Sequence, residues 1–325
     1  MVVGTGAVVV TGGAGGMGAA IARALIVFGP LILADLDTDR LEPVRRDLAD
    51  AGASVEIAVC DVTKDADVVA LGERVGALGG LRALAHTAGL SPQMADGRTV
   101  LDVDLVGTAR VLDALAPHAG PGTAAVCVGS IAGYADLAPE LDPLLDDPLA
   151  GGFLDEVAAR LTVPFDGTIG YVLAKRGVMR ACERLSGPWG RQGARIVSIA
   201  PGLIDTEMGR LEMTDSEIVT ALIKATPIKR PGHTPLPGSV RDIAALVAFL
   251  CSDTASFISG CDIRIDGGLI GSGRIPPPEH HNPLAQRRLE APAEGNKTRS
   301  PLTKSSVADR DRNLLQTRRL LDGDE

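Results

Sequence analysis

The sequence predicts an α/β protein built on one doubly wound, parallel, seven-stranded sheet of the Rossmann type, in a single domain. Three observations predict it. Short runs rich in Val, Ile, Leu and Ala alternate with amphipathic segments along most of the chain. A glycine-rich turn separates the first run from the first amphipathic segment. The hydrophobic fraction, 45% of 325 residues, suffices for a large core.

The elements follow in order. "AVVVT" (7–11), "LILAD" (31–35), "SVEIAVC" (54–60), "LRALAHT" (81–87), "TAAVCVGS" (123–130), "ARIVSIA" (194–200) and "CDIRID" (261–266) read as buried strands. Helical periodicity fills 16–28, 38–51, 64–78, 98–118, 168–186 and 240–252. Buried strands with helices between them imply a parallel sheet covered on both faces, and right-handed crossovers wind it doubly. Two segments break the alternation. Residues 136–167 carry eight acidic residues against one basic, Arg160, and hold a short helix with Leu149, Phe153, Leu154, Val157 and Leu161 on one face. Residues 271–325 carry ten basic and eight acidic residues with much Pro and Ser, and read as a disordered tail. The catalytic domain is therefore expected over 1–270.

Composition narrows the function classes. The net charge of −9 argues against nucleic acid or an anionic membrane as partner. No apolar stretch reaches the ~18 residues of a membrane span. No basic region precedes the N-terminal apolar run, so no signal peptide is expected. The five cysteines are scattered without CxxC spacing and read as small core residues. A reducing, cytoplasmic setting follows by elimination. His118, His233, His280 and His281 lack metal spacing, and no metal is expected. His86, at a strand end, reads as a hydrogen-bonding partner of backbone.

"VVVTGGAGGMGAAIARAL" has glycines at 12, 13, 15, 16 and 18, between strand and helix. Missing side chains let a pyrophosphate approach the backbone at a helix N-terminus. Asp35 ends the second strand, where a carboxylate accepts hydrogen bonds from the adenosine ribose hydroxyls and repels a 2′-phosphate. No Arg or Lys lies in the turn or in 34–39, so the sequence favours NAD over NADP. Asp61, ending the third strand, is placed to reach the adenine edge or to close a strand-end turn. Tyr171 and Lys175 stand one helical turn apart in "IGYVLAKRG", and the chain has only two tyrosines. A free phenol titrates near ~10, too high for a base at neutral pH. An ammonium one turn away favours the phenolate and makes the group useful in both directions.

Thr11-Gly12-x-x-x-Gly16-x-Gly18, Ser130 after the fifth strand, Tyr171-x-x-x-Lys175, "PGLIDT" (201–206) and "IDGG" (265–268) resemble, in order, the short-chain dehydrogenase/reductase family. The resemblance covers 5–270. It implies Tyr171 as general acid/base at the substrate carbonyl or carbinol oxygen, with Ser130 on the same oxygen. It implies that Lys175 binds the nicotinamide ribose and acidifies the tyrosine. It also implies an NAD site formed by Gly12, Gly16, Met17, Gly18, Asp35, Asp61, Val62, Ala88, Gly89, Pro201, Gly202, Ile204 and Thr206, together with Tyr171 and Lys175. Residues 207–230 fall where the family keeps a substrate lid. Their apolar side chains, Met208, Leu211, Met213, Ile218, Leu222 and Ile223, suit an apolar secondary alcohol or ketone such as a steroid, terpenoid or alicyclic compound.

The chain departs from the family twice. Asp104, in "DLVG", stands where the family usually keeps an Asn that helps hold a proton-relaying water. An ionised Asp there can pair with Lys175 and blunt its pull on Tyr171, hold the water, or face elsewhere. The second departure is the gap from Ser130 to Tyr171, far longer than in most members and filled by 136–167. That insertion, with "TAGLSPQ" (87–93), resembles the bacterial 3α-hydroxysteroid dehydrogenase/carbonyl reductase subset. It lies beside the helix through which the family's tetramers pack, so a homodimer is expected ahead of a homotetramer.

Overall fold

The computed structural model describes residues 6–213, 217–229 and 237–273. The tail expected to be disordered lies outside them from residue 274 onward, as do 214–216 and 230–236 of the expected lid.

Seven five- to seven-residue runs, or shorter at the last, form one sheet: β1 (Ala7–Thr11), β2 (Leu31–Asp35), β3 (Val55–Val59), β4 (Leu81–His86), β5 (Ala124–Val128), β6 (Arg195–Pro201) and, after two short strands, β9 (Asp262–Ile265). Their order is β3-β2-β1-β4-β5-β6-β9, and every pairing is parallel. The two short strands, β7 (Ile204–Asp205) and β8 (Gly238–Ser239), pair with each other. Alternate strand residues feed opposite faces. Val9, Ile32 and Leu84 pack under α3 (Asp65–Ala77), α5 (Gly107–Leu115) and α7 (Gly167–Arg191). Val8, Val10 and Leu33 pack under α1 (Gly16–Leu25) and α10 (Val240–Cys251). The remaining helices are α2 (Thr38–Asp50), α4 (Gly97–Leu101), α6 (Phe153–Arg160), α8 (Glu207–Met213) and α9 (Glu217–Ala225).

The structure corrects four expectations. The third and the last strands are half-solvated rather than buried, with Val59 58% exposed and no residue of β9 buried, because β3 and β9 are the two edge strands with one neighbour each. The helix expected at 98–118 is continuous but not α throughout: α4 and α5 are joined by a π-helical turn, Asp102–Val106, in which the Gly107 N–H donates to Asp102 O. A π turn inserts one extra residue and re-aims the side chains around it. The helix expected at 168–186 runs on to Arg191 through Pro188, its last turns anchored by buried Trp189. In the insertion, Phe153 and Val157 are buried as expected, but Leu149 precedes α6 and is 46% exposed. The segment also holds a 3-10 turn, Asp142–Asp146, whose carboxylates bind α7. Arg176 donates to Asp142 at 2.9 and 3.0 Å, and Arg180 to Asp146 at 2.8 and 2.7 Å. The acidity of 136–167 is thus matched by arginines on the helix that bears Tyr171. α4 and α7 approach closely; a Cβ on Gly170 would lie 2.3 Å from Gly97 O.

Candidate active site

β1 and β4 are neighbours, and the strand order runs one way from β1 to β2 and the other from β4 to β5. The crevice outside the C-terminal ends of β1 and β4 is therefore the switch point of the sheet, where such folds bind ligands. The glycine turn borders it. Gly12 has φ +67°, and a Cβ there would lie 2.7 Å from Thr87 Oγ1. A Cβ on Gly18 would lie 2.1 Å from Gly12 O, so the turn and α1 can meet only without it. Gly16 differs: it is exposed, and a Cβ there would find nothing nearer than Thr206 Cγ2 at 3.6 Å. Its bareness is not a packing requirement and leaves room for a ligand. Gly15 supplies no side-chain cap to α1, and no acid lies in its first turn, so the N-terminal N–H groups face the crevice unclaimed by a capping side chain. Met17 is half-buried beside them.

Asp35 is held by the same turn. Its Oδ2 accepts the Ala14 N–H at 3.0 Å and its Oδ1 the Leu36 N–H at 2.8 Å. Each oxygen keeps a lone pair for a diol. Across the crevice, Gly202 N–H donates to Ile265 O at 3.1 Å, which extends the end of β6 at Pro201 against β9. Ile204 is buried, and Thr206 Oγ1 accepts the Gly209 N–H at 2.8 Å to start α8 beside Gly16. The glycine turn, Asp35 and the 201–206 loop thus share one rim. Ala88 N–H reaches Thr11 Oγ1 at 3.4 Å, and a Cβ on Gly89 would lie 3.0 Å from the Asp104 carboxylate. Asp61 is committed within its own strand-end turn. Its Oδ1 accepts the Thr63 N–H at 3.0 Å and the Thr63 hydroxyl at 2.7 Å, and Lys64 lies 3.2 Å away. Val62 is buried against Gly107.

α7 brings Tyr171 and Lys175 to the crevice on one face, with the ammonium 5.2 Å from the phenol ring centroid. Ser130 leads from β5 into the 3-10 turn Ile131–Tyr134, where its Oγ accepts the Ala132 N–H at 3.2 Å. That turn lies on α7 at Lys175: a Cβ on Gly133 would be 3.0 Å from Lys175 O. Lys175 is buried, and its Nζ lies 2.9 Å from Asp104 Oδ2 and 3.5 Å from Val128 O. Of the three orientations open to Asp104, the structure takes the pair with Lys175. Asp104 is fully buried in the π turn, and its other oxygen accepts the Leu90 N–H at 2.7 Å. Burial pushes its carboxyl up, against the pull of Lys175 and the Leu90 N–H.

His86 binds side-chain hydroxyls rather than the backbone expected of it. Its Nδ1 lies 2.8 Å from Thr11 Oγ1 and its Nε2 2.9 Å from Thr108 Oγ1. The direction of the chain is fixed at both ends. Thr108 Oγ1 donates to Asp104 O at 2.5 Å, so it accepts from His86 Nε2–H. Thr11 Oγ1 accepts backbone N–H groups from Thr87 and Ala88, so its proton goes to Nδ1. His86 is accordingly neutral, and burial, with Lys175 nearby, lowers its pKa to about 3. This link between the glycine turn and the π turn escaped the sequence reading. Thr108, four residues after Asp104, carried no signal of its own. A separate cleft of about 640 Å³ lies between α3, α5 and the insertion, lined by Arg98, Arg110 and Phe153 among others, and includes none of these site residues. No cluster of metal-binding side chains occurs among the described residues.

Comparison with known proteins adds an independent line. Residues 6–139 match the short chain dehydrogenase family, and residues 153–270 match the family described as enoyl-(acyl carrier protein) reductase. A short-chain dehydrogenase/reductase of Alternaria brassicicola is 32% identical over 264 residues, 79% of this chain and 93% of that one. The 3-alpha-hydroxysteroid dehydrogenase/carbonyl reductase of Comamonas testosteroni is 30% identical, covering 81% and 95%. The D-threitol dehydrogenase of Mycolicibacterium smegmatis is 31% identical, covering 80% and 90%. Among solved structures, a 7 alpha-hydroxysteroid dehydrogenase complexed with NADH and a 7-oxo bile acid shares the fold, with TM-score 0.65 at 21% identity over 81% of this chain and 93% of that one.

Proposed function

From the premise that the chain belongs to the short-chain dehydrogenase/reductase family, we propose that it interconverts an apolar secondary alcohol and its ketone, with NAD as cofactor and Tyr171 as general acid/base. The observation that carries this reading is the placement of Tyr171, Lys175 and the Ser130 turn on one face of α7, beside the switch-point crevice.

The crevice fits a nicotinamide dinucleotide. Gly12, Gly16, Met17 and Gly18 would take the pyrophosphate, Asp35 the adenosine ribose, and Pro201, Gly202, Ile204 and Thr206 the nicotinamide end. Ala88 and Gly89 would line the adenosine side. Asp61 is spent on Thr63 and Lys64, so its contribution is to shape the pocket wall with Val62. Asp35, with its two backbone donors, presents a fixed negative charge that disfavours a 2′-phosphate and supports NAD over NADP. When bound, the nicotinamide supplies or accepts the hydride. The protein handles the proton. In reduction the Tyr171 phenol donates to the carbonyl oxygen, and the Ser130 hydroxyl donates a second hydrogen bond to that oxygen. In oxidation the phenolate takes the carbinol proton, which then leaves for solvent.

Half-buried Met208, Leu222 and Ile223 in α8 and α9 present apolar surface on the substrate side, which supports an apolar substrate. Two relatives bear names that divide on this point, a hydroxysteroid dehydrogenase and a threitol dehydrogenase. The test is a panel of steroid, alicyclic and polyol substrates with NAD and NADP, followed by absorbance of the reduced cofactor. Apolar alcohols with NAD should win. Tyr171→Phe should then lower the rate by ~10²–10⁴ while NAD still binds. Tight NAD binding without turnover of any substrate would leave the alternative, a non-catalytic dinucleotide-binding regulator.

A further inference from the structure

We infer that Asp104 cancels the charge of Lys175, so that the Tyr171 phenol gives up its proton less readily than it would beside an unpaired ammonium, and the chain favours carbonyl reduction at neutral pH and oxidises alcohols faster as the solution turns alkaline. This rests on the acid/base role proposed for Tyr171.

Net charge beside the phenol decides its titration. A lone ammonium 5.2 Å from the ring centroid would favour the phenolate by more than about one pH unit. Here Nζ lies 2.9 Å from a carboxylate oxygen, with side-chain exposures of 8% and 0%. Water does not screen such a pair, and its net charge is zero wherever the shared proton sits. Tyr171 therefore faces a short dipole in place of a cation. The pair is built into the fold. The π turn re-aims Asp104 inward, the Leu90 N–H holds one oxygen, and the Thr11–His86–Thr108 chain holds the Asp104 carbonyl.

Among the described residues, the other charged groups around α7 are engaged elsewhere. Arg176 and Arg180 are bound by Asp142 and Asp146 on its outer face. Arg98 on α4 is paired with Asp155, and Asp102 in the π turn with Arg110. Asp262 on β9 takes the Tyr134 and Ser198 hydroxyls, and Arg264 lies over the Tyr134 ring. His86 on β4 is neutral, and the side-chain hydrogen bond with Cys127, together with burial, pushes the Cys182 thiol up and keeps it protonated. A phenol held protonated is the form that donates to a carbonyl oxygen, whereas alcohol oxidation needs the phenolate.

The chain has only two tyrosines, which makes the claim measurable without substrate. In the full chain carrying Tyr134→Phe, phenolate absorbance reports Tyr171 alone and can be read after a rapid pH jump without cofactor. Adding Asp104→Asn should lower the titration midpoint by about one pH unit or more and raise alcohol oxidation at pH 7 about tenfold. An unchanged midpoint overturns the inference. So does unsubstituted protein that oxidises alcohol as fast at pH 7 as at pH 10, a result that needs no variant to fold. If no alcohol or ketone turns over but the midpoint shifts, the charge cancellation stands and only the proposed reaction fails.

Discussion

His86 shows how much one buried side chain can do in this protein. It joins the glycine turn to the π turn through two hydroxyls. Burial, with Lys175 nearby, lowers its pKa from 6.5 to about 3, while in the unfolded chain it titrates normally. Between those values the unfolded state binds the extra proton. Stability is therefore full above pH 6.5 and falls as the pH drops, by about 1.4 kcal/mol per unit from this group. His86→Gln, which keeps a polar group there but does not titrate, should flatten that fall. Urea unfolding at pH 7, 6 and 5 checks it; equal slopes in the two proteins would show that His86 is not the titrating group. Most of the candidate site is legible at this scale. Tyr171, Lys175, Ser130, Asp35 and the glycines stand out in the sequence because each proposed chemistry demands a residue type at a fixed offset. Thr108 and His86 were not, because a hydroxyl and an imidazole 22 residues apart become partners only once β4 lies beside the π turn.

Elements were legible where one periodicity governs them and obscure where two compete. The seven strands of the main sheet were found close to their true limits because each is a short apolar run between turns. The π turn was missed because its extra residue leaves the helical pattern on either side intact. The end of α7 was placed too early because Gly187 and Pro188 signal termination, and burial of Trp189 overrides them. The insertion is held as an element by carboxylate–guanidinium pairs. Hydrogen bonds from Arg176 hold the Asp142 carboxyl below the usual carboxylate range. A depressed carboxyl contributes stability at neutral pH that is lost as the pH falls through its folded value. Both partners are partly exposed, and solvent screening limits the contribution to about 1 kcal/mol. Replacing Arg176 and Arg180 together with Ala should speed amide exchange in 142–146 at pH 7 with little change in global stability. Mild acid should do the same to the unsubstituted protein. A large global loss would mean that the pairs hold α7 itself.

At the scale of the whole molecule, the parallel sheet and its cover on both faces followed from the alternation of runs, because a doubly wound sheet is nearly the only way to bury them. Assembly does not follow in the same way. The 3-10 turn Asp142–Asp146 lies on the outer face of α7, over Arg176 and Arg180, and would obstruct packing of a second copy there. Sedimentation equilibrium is expected to give a dimer; a tetramer joined through α5 and α7 would contradict the obstruction. The same helix has another use. Trp189, the only tryptophan of the chain, is 1% exposed near the end of the helix that carries Tyr171. Indole emission thus reads the packing around the far end of that helix, without any label. A blue-shifted spectrum that moves to the red on titrating in a ligand would reveal the far end of α7 lifting away from the sheet as the near end takes hold.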